Sequence, residues 1–227
     1  VMEGTPACNV STLTAAAFDT FFSLLQVTRK DFKYFIESGS FMGCTAFSLK
    51  DYFPNIYSIE IAEHLYKYCL KKANQLNVTK IQFIHDNSLN GFEKVKELIG
   101  VGQKCVFYLD GHYSGKLGVP KEDGTEFSQF KFLTEDVFQG NVSVSKNRKN
   151  KGRVCVQTEC LPGQHVPLYD EITYIDNNFQ NTCIVIIDDI HLFGEIYSHG
   201  NWTDISLEGI FNCFKKKKVT KAIRVFN

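Results

Sequence analysis

Phe35-Ile36-Glu37-Ser38-Gly39-Ser40-Phe41-Met42-Gly43 is the stretch from which the rest of this sequence is read. An apolar run at 32–36 ends at an acid, a glycine-containing turn follows, and a helical pattern runs on over 44–51. Strand, turn and helix in that order make the first unit of a doubly wound α/β sheet, whose ligands bind in the crevice beyond the carboxyl ends of the strands. Gly39 and Gly43 allow the backbone to bend tightly and to approach a ligand. The spacing is E-x-G-x-x-x-G, which departs from the G-x-G-x-x-G of dinucleotide enzymes. Alone it is a weak signal; the acids that close the later strands strengthen it.

Working outward, 11–26 reads as an N-terminal helix within the segment 11–28, with Ser11 or Thr12 as its cap and Leu13, Ala17, Phe21, Leu24 and Leu25 as its apolar stripe. Strands are expected at 33–37, 55–60, 80–85, 104–109, 182–187 and 220–226. Helices are expected at 45–52, 62–76, 88–99, 167–177 and 204–215. The fully apolar run at 182–187 suits a central parallel strand. Alternating strands and helices predict an α/β, Rossmann-like, doubly wound and mostly parallel sheet, with 1–227 forming one domain. The rhythm breaks between Tyr113 and His165, a long polar stretch rich in Gly, Lys and Asn. It reads as an insertion at 116–165, a lid or substrate-binding element, with a β-hairpin across 141–145 and 153–157.

Composition narrows the function. Lys plus Arg equals Asp plus Glu, 25 of each, so no net field favours nucleic acid. The one basic run, Lys215–Lys218, is expected to decorate a helix end. The 8 cysteines are scattered without C-x-x-C, which argues against zinc and for reduced, buried thiols. No apolar run reaches the roughly 18 residues of a membrane span, and 1–10 has no signal-peptide pattern, so a cytoplasmic setting is expected.

Five expected strand ends carry acids: Glu37, Glu60, Asp86, Asp110 and the pair Asp188-Asp189. A single Asp after a strand is an ordinary helix cap; five in an open parallel sheet would line one crevice. Glu60 lies 21 residues after Gly39, an offset that suits the two hydroxyls of a ribose. NAD or S-adenosylmethionine would use it so, and the glycine spacing favours the latter.

At this point the sequence resembles a family. Residues 35–43, 57–60 and His85-Asp86-Asn87-Ser88 are similar to motifs I, II and III of class I S-adenosylmethionine-dependent methyltransferases. Leu109-Asp110-Gly111-His112-Tyr113-Ser114-Gly115, followed by 167–171 and by Ile186-Ile187-Asp188-Asp189, resembles a narrower group. These are metal-dependent sugar O-methyltransferases with LDGHYSG and IDD segments, found in bacterial glycan loci and in large DNA viruses of algae, where the setting would be the host cytoplasm. The resemblance implies that Glu37, Ser38, Gly39 and Gly43 face the methionine part of the cofactor. It implies that Glu60 holds the ribose and that Asp86, Asn87 and Ser88 border the adenine. Asp110, Asp188 and Asp189 match the ligands of a divalent cation, Mg²⁺ or Mn²⁺, with Asp110 also beside the cofactor, and His112 matches the general base. The implied acceptor is a sugar hydroxyl on a glycan, with rhamnose as the specific expectation. The insertion at 116–165 departs from the compact pattern, so substrate contacts do not carry over there.

The chemistry is consistent with that assignment. A sugar hydroxyl is a poor nucleophile near neutral pH. A hard cation on carboxylate oxygens lowers the pKa of adjacent hydroxyls, and a histidine with an unperturbed pKa of about 6.5 can take the proton. His191 stands beside the acid pair with less support, and His64 and His199 read as surface residues. Rival readings are a catechol-type O-methyltransferase, a non-catalytic module binding a glycan or partner, and an NAD-linked enzyme; the glycine spacing disfavours the last.

Overall fold

The computed structural model describes residues 13–100, 102–111, 166–180, 183–194, 196–197 and 200–222. β1 (Tyr34–Ser38) is buried over its last four residues, so it needs a neighbour on each side and a layer on each face. It pairs in parallel with β2 (Asn55–Glu60) on one side and with β4 (Cys105–Leu109) on the other. β3 (Ile81–His85) extends the sheet beyond β2, and β5 (Cys183–Ile187) extends it beyond β4. The order is β3-β2-β1-β4-β5, and every pairing is parallel. The chain reverses its direction of growth between β1 and β4, which makes their carboxyl ends the switch point where ligands of open α/β sheets bind.

Side chains alternate across the strands and feed two cores. One face carries Phe35, Ile56, Phe83, Val106 and Tyr108. It is covered by α1 (Ala15–Leu25), the short α2 (Cys44–Ser48) and α3 (Glu63–Gln75). Phe18 of α1 meets Phe35 and Phe53 edge-to-face at 5.7 and 5.3 Å, so the N-terminal helix covers the sheet. The other face carries Ile36, Ile59, Phe107 and Leu109 under α4 (Ser88–Ile99), α5 (Leu168–Asn178) and α6 (Leu207–Cys213). Helices on both faces of a parallel sheet give the expected Rossmann-like class, with a long insertion after β4.

Several boundaries differ from expectation. Thr14, rather than Ser11 or Thr12, caps α1 by accepting from the Ala17 amide. β1 runs one residue further, to Ser38, because that residue still pairs with Ile59 and Leu109. Asn87 caps α4 in place of Ser88. β5 is half-buried along its length and pairs with β4 alone among the described residues, so there it is an edge strand and not a central one. A small antiparallel pair, β6 (Ile196–Tyr197) and β7 (Gly200–Asn201), was not anticipated. Residues 220–222 of the expected last strand are not in a strand, and the rest of it lies outside the described residues, as do the expected hairpin and the whole of 116–165. No described helix is long and apolar enough to cross a membrane.

The basic run has a structural explanation. The amides of Lys215, Lys216 and Lys217 donate to the Asp176 carboxylate at 3.0, 2.8 and 2.8 Å, just past the end of α6. Three backbone donors hold this buried acid below the usual carboxylate range despite its desolvation. A depressed carboxyl stabilises the fold above its unfolded pKa and ceases to as pH falls through the folded one. Asp176→Ala is therefore expected to cost about 1–3 kcal/mol in urea unfolding at neutral pH, and the deficit should shrink in acid. A deficit that persists unchanged in acid would show that packing, not the carboxylate, is what was lost.

The thiols divide. Cys69, Cys105, Cys183 and Cys213 are free, and burial raises Cys69, Cys105 and Cys183 well above the ordinary thiol range. Cys44 is disulfide-bonded to none of these four, which corrects the expectation of uniformly reduced cysteines.

Candidate functional site

The site is built on the turn after β1. Gly39 and Gly43 both have positive φ, +83° and +70°, as the sequence required. The close approach that Gly39 permits is to protein backbone: a Cβ there would sit 2.3 Å from the Asp110 carbonyl oxygen. The Gly39 and Ser40 amides both donate to the Ile59 carbonyl, which ties the turn to β2.

Glu60 completes that tie. Its Oε2 accepts from the Phe41 amide and its Oε1 from the Ala62 amide, both at 2.8 Å. Phe41 is a bulky residue at φ +48°, a strained conformation that this hydrogen bond helps to hold. Glu60 is 6% exposed, and desolvation raises its pKa against the amides of Ala62, Phe41 and Ile61 and the nearby His64. A carboxylate offers about four acceptor sites, so Glu60 keeps capacity for a ligand hydroxyl beyond its amide partners.

Glu37 lies deeper than the sequence suggested. It is 2% exposed and accepts from Ser58 Oγ at 2.5 Å, and Ser58 in turn meets Ser40 Oγ at 2.6 Å. Burial, reinforced by the nearby Glu60 charge, pushes its carboxyl up to about 8 against the opposing hydrogen bonds of Ser58 and Thr45. Glu37 thus acts on the turn from beneath.

Asp86 follows β3, beside the end of β2, where its amide donates to the Glu60 carbonyl. Its carboxylate takes the Lys94 ammonium at 2.6 Å, the Asn90 amide group and the Asn87 amide, and these hold its pKa down. Asn87 spends its side chain on the helix cap, donated to by the Asn90 amide. The three residues assigned to the adenine edge are thus together, with Asp86 and Asn87 already hydrogen-bonded.

Beyond β4 and β5 the acids converge. Asp110 is raised well above the ordinary value, first by desolvation and then by Asp188, Asp189, Glu37 and Glu171. Asp188 is oriented by Tyr108, whose hydroxyl donates at 2.5 Å, and by the Asp189 amide at 2.8 Å. Asp189 has φ +54° and lies 3.6 Å from His191 Nδ1. All-carboxylate donors have the right chemistry for Mg²⁺ or Mn²⁺. Among the described residues, however, no three His, Cys, Asp or Glu side chains gather into a group able to hold a metal ion. His112 and Tyr113 lie outside the described residues.

The structure gives positions to residues to which the sequence reading assigned no role. Tyr108 carries no motif and Ser58 falls within 57–60 without an assigned role; each is identified by what it touches. Ile61, directly after Glu60, is 70% exposed at the mouth of the crevice, an apolar residue out of its pattern. Glu171, in the first turn of α5, is 1% exposed with its carboxyl pushed up to about 7 by burial. A separate cavity of about 480 Å³, lined by Lys96, Glu97, Gln103, Asn178 and Gln180 among others, lies at the opposite end of the sheet and touches none of the predicted site residues.

No protein-family model and no curated protein matches the sequence. Among solved structures, the chain is similar to an rRNA methylase from Streptococcus thermophilus at 14% identity, over 35% of this chain and 46% of that one, with a TM-score of 0.29. It is similar to a candidate methyltransferase from Streptococcus mutans, solved with S-adenosylhomocysteine, at 18% identity over 45% and 56%, with a TM-score of 0.30. It is also similar to a coclaurine N-methyltransferase bound to N-methylheliamine and S-adenosylhomocysteine, at 8% identity over 54% and 31%, with a TM-score of 0.31. The chain thus spans about half or less of the length of each of these proteins.

Proposed function

We propose that the chain is an S-adenosylmethionine-dependent O-methyltransferase acting on a sugar hydroxyl of a glycan, with a divalent cation on Asp110, Asp188 and Asp189. The observation that supports it best is the row of carboxyls along the crevice. Glu60, Glu37, Asp110 and Asp188 follow one another across the ends of β2, β1, β4 and β5. Burial has raised the first three. Among the described residues, Lys94 is engaged by Asp86 and Lys72 lies over the Phe47 ring. Carboxyls that burial keeps protonated ionise when a cation enters beside them, so such a row suits a sulfonium with an ammonium group better than the pyrophosphate of a dinucleotide.

In this reading the ribose hydroxyls take the spare lone pairs of Glu60, and the purine lies on the exposed face of Ile61 near Asp86. A cation bound by the three aspartates would supply a lowered pKa at adjacent sugar hydroxyls. Tyr108 holds one Asp188 oxygen through its hydroxyl, and His112, two residues beyond Asp110, would take the hydroxyl proton. The LDGHYSG and IDD resemblance selects the sugar over a catechol, and rhamnose is the acceptor to try first.

The deciding experiment incubates the full chain with a labelled methyl donor and a panel of glycans, with and without EDTA. Label should enter a rhamnose-containing glycan, vanish in chelator and return with Mg²⁺ or Mn²⁺. Full activity in EDTA would remove the cation, and no labelled glycan would remove the acceptor class. The cofactor is tested separately by calorimetry with S-adenosylhomocysteine. Glu60→Ala is expected to lose about 1–3 kcal/mol of binding, the cost of unpaired hydroxyls, whereas equal affinity in both proteins would place Glu60 outside the site.

A further inference from the structure

Glu171 closes the 167–171 segment of the resemblance, which assigns it no role, yet it occupies an unusual position. It is buried to 1% exposure on α5, beside the Asp110–Gly111 turn at the switch point. Its neighbours are the hydroxyls of Ser88 and Ser38. Ser38 and the Glu171 Oε1 atom flank Gly111 closely: a Cβ on Gly111 would lie 2.9 Å from that oxygen and 3.0 Å from Ser38 Oγ. Neither of these two atoms completes a hydrogen bond of ordinary geometry. An unmade bond on a buried carboxyl is costly, and folds keep one where another group fills it.

The void beside it indicates what that group is. Asp110, Gly111, Glu171, Asp188 and Trp202 border a space of about 10 Å³, together with apolar side chains. That is room for one water molecule, and the space has the two or more polar partners that an ordered water requires. A water has two protons to donate, and Glu171 and Asp110 are two of the three carboxyls that border the space, the third, Asp188, already accepting from Tyr108.

We propose that Glu171 is a positioning residue of the site. One internal water, donating to Glu171 Oε1 and to the Asp110 carboxyl, fixes the Asp110–Gly111 turn against the end of β1. The water and the turn stand on the geometry alone; the consequence for cofactor binding rests on the function proposed above.

High-resolution crystal structures of the full chain, wild type and Glu171→Leu, test the geometry. The wild type should show one ordered water in the void, and the Leu variant should lack it and display a shifted Asp110–Gly111 turn. Calorimetry with S-adenosylhomocysteine and thermal melts test the role. Glu171→Leu should weaken binding about tenfold, as loss of a supporting shell does, without a lower melting temperature, since an apolar replacement of a buried charge is often neutral. Glu171→Gln, which keeps an acceptor oxygen, should restore affinity to near the wild type. A dry void, a metal ion in it, or an unmoved turn in Glu171→Leu would overturn the proposal, as would affinity and melting temperature falling together in both variants. If Glu171→Leu fails to fold, the wild-type water and the Gln variant still decide. A wild type that binds no S-adenosylhomocysteine would sink the proposed function, while the two crystal structures would still judge the water and the turn.

Discussion

Gly39→Ala should unfold at markedly lower urea concentration than the wild type, with a loss of roughly 3–5 kcal/mol. Two costs combine. The residue sits at φ +83°, where a side chain is strained. Its Cβ would also lie 2.3 Å from the Asp110 carbonyl oxygen and 2.8 Å from the carbonyl carbon, and backbone cannot rotate away as a side chain can. Relief requires the ends of β1 and β4 to part, which opens the switch point itself. The variant should therefore also lose S-adenosylhomocysteine binding in calorimetry at temperatures where it remains folded. A loss below about 1 kcal/mol would mean that the two strand ends are not closed as described. Gly43→Ala provides the comparison. Its clash is with the Phe47 ring at 2.8 Å, a side chain that can move, so its stability loss should be smaller.

Glu37→Gln should gain stability over the wild type as pH rises. The sign follows from the protons bound. The Glu37 carboxyl titrates near 4.5 in an unfolded chain and at about 8 in the folded one. Between those values the folded state holds a proton that the unfolded state has released, so the wild type loses stability as pH increases through this window. The slope from this one group approaches about 1.4 kcal/mol per pH unit, and the accumulated loss above the window is on the order of 5 kcal/mol. Glutamine keeps an acceptor for Ser58 and carries no charge, so it escapes the loss. Urea unfolding of both proteins at several pH values from 5 to 9 should show curves that diverge steadily. Parallel curves would place Glu37 in a far more polar setting than its burial implies.

These two residues show where sequence reading succeeds and where it stops. The turn glycines, the strand-ending acids and the alternation of elements are local facts. A glycine is needed wherever φ is positive, and an apolar run of five residues closed by an acid reads as a strand end whatever surrounds it. Those features alone determined the α/β class and the placement of β1 to β5 to within a residue or two. They also made Glu60, Asp110 and Asp188 a set, since parallel strands bring all their carboxyl ends to one edge. The two short strands β6 and β7 escaped because two residues are too few to show a period.

What the chain order could not decide is which neighbour each side chain meets. Gly39 and Asp110 are far apart in sequence, and only the pairing of β1 with β4 makes one the reason for the other. Glu37 is an ordinary acid until Ser58 of β2 and Thr45 of α2 enclose it. Tyr108 reads as a core aromatic, and it becomes the partner of Asp188 because β4 and β5 lie side by side. Glu171 reads as one more charge in the first turn of a helix until α5 packs it behind Gly111 and removes it from water. The physical reason is common to all four. Periodicity and backbone preference act over a few residues and are written locally, whereas desolvation and side-chain pairing depend on strand order and helix docking, which are decided only when the sheet closes.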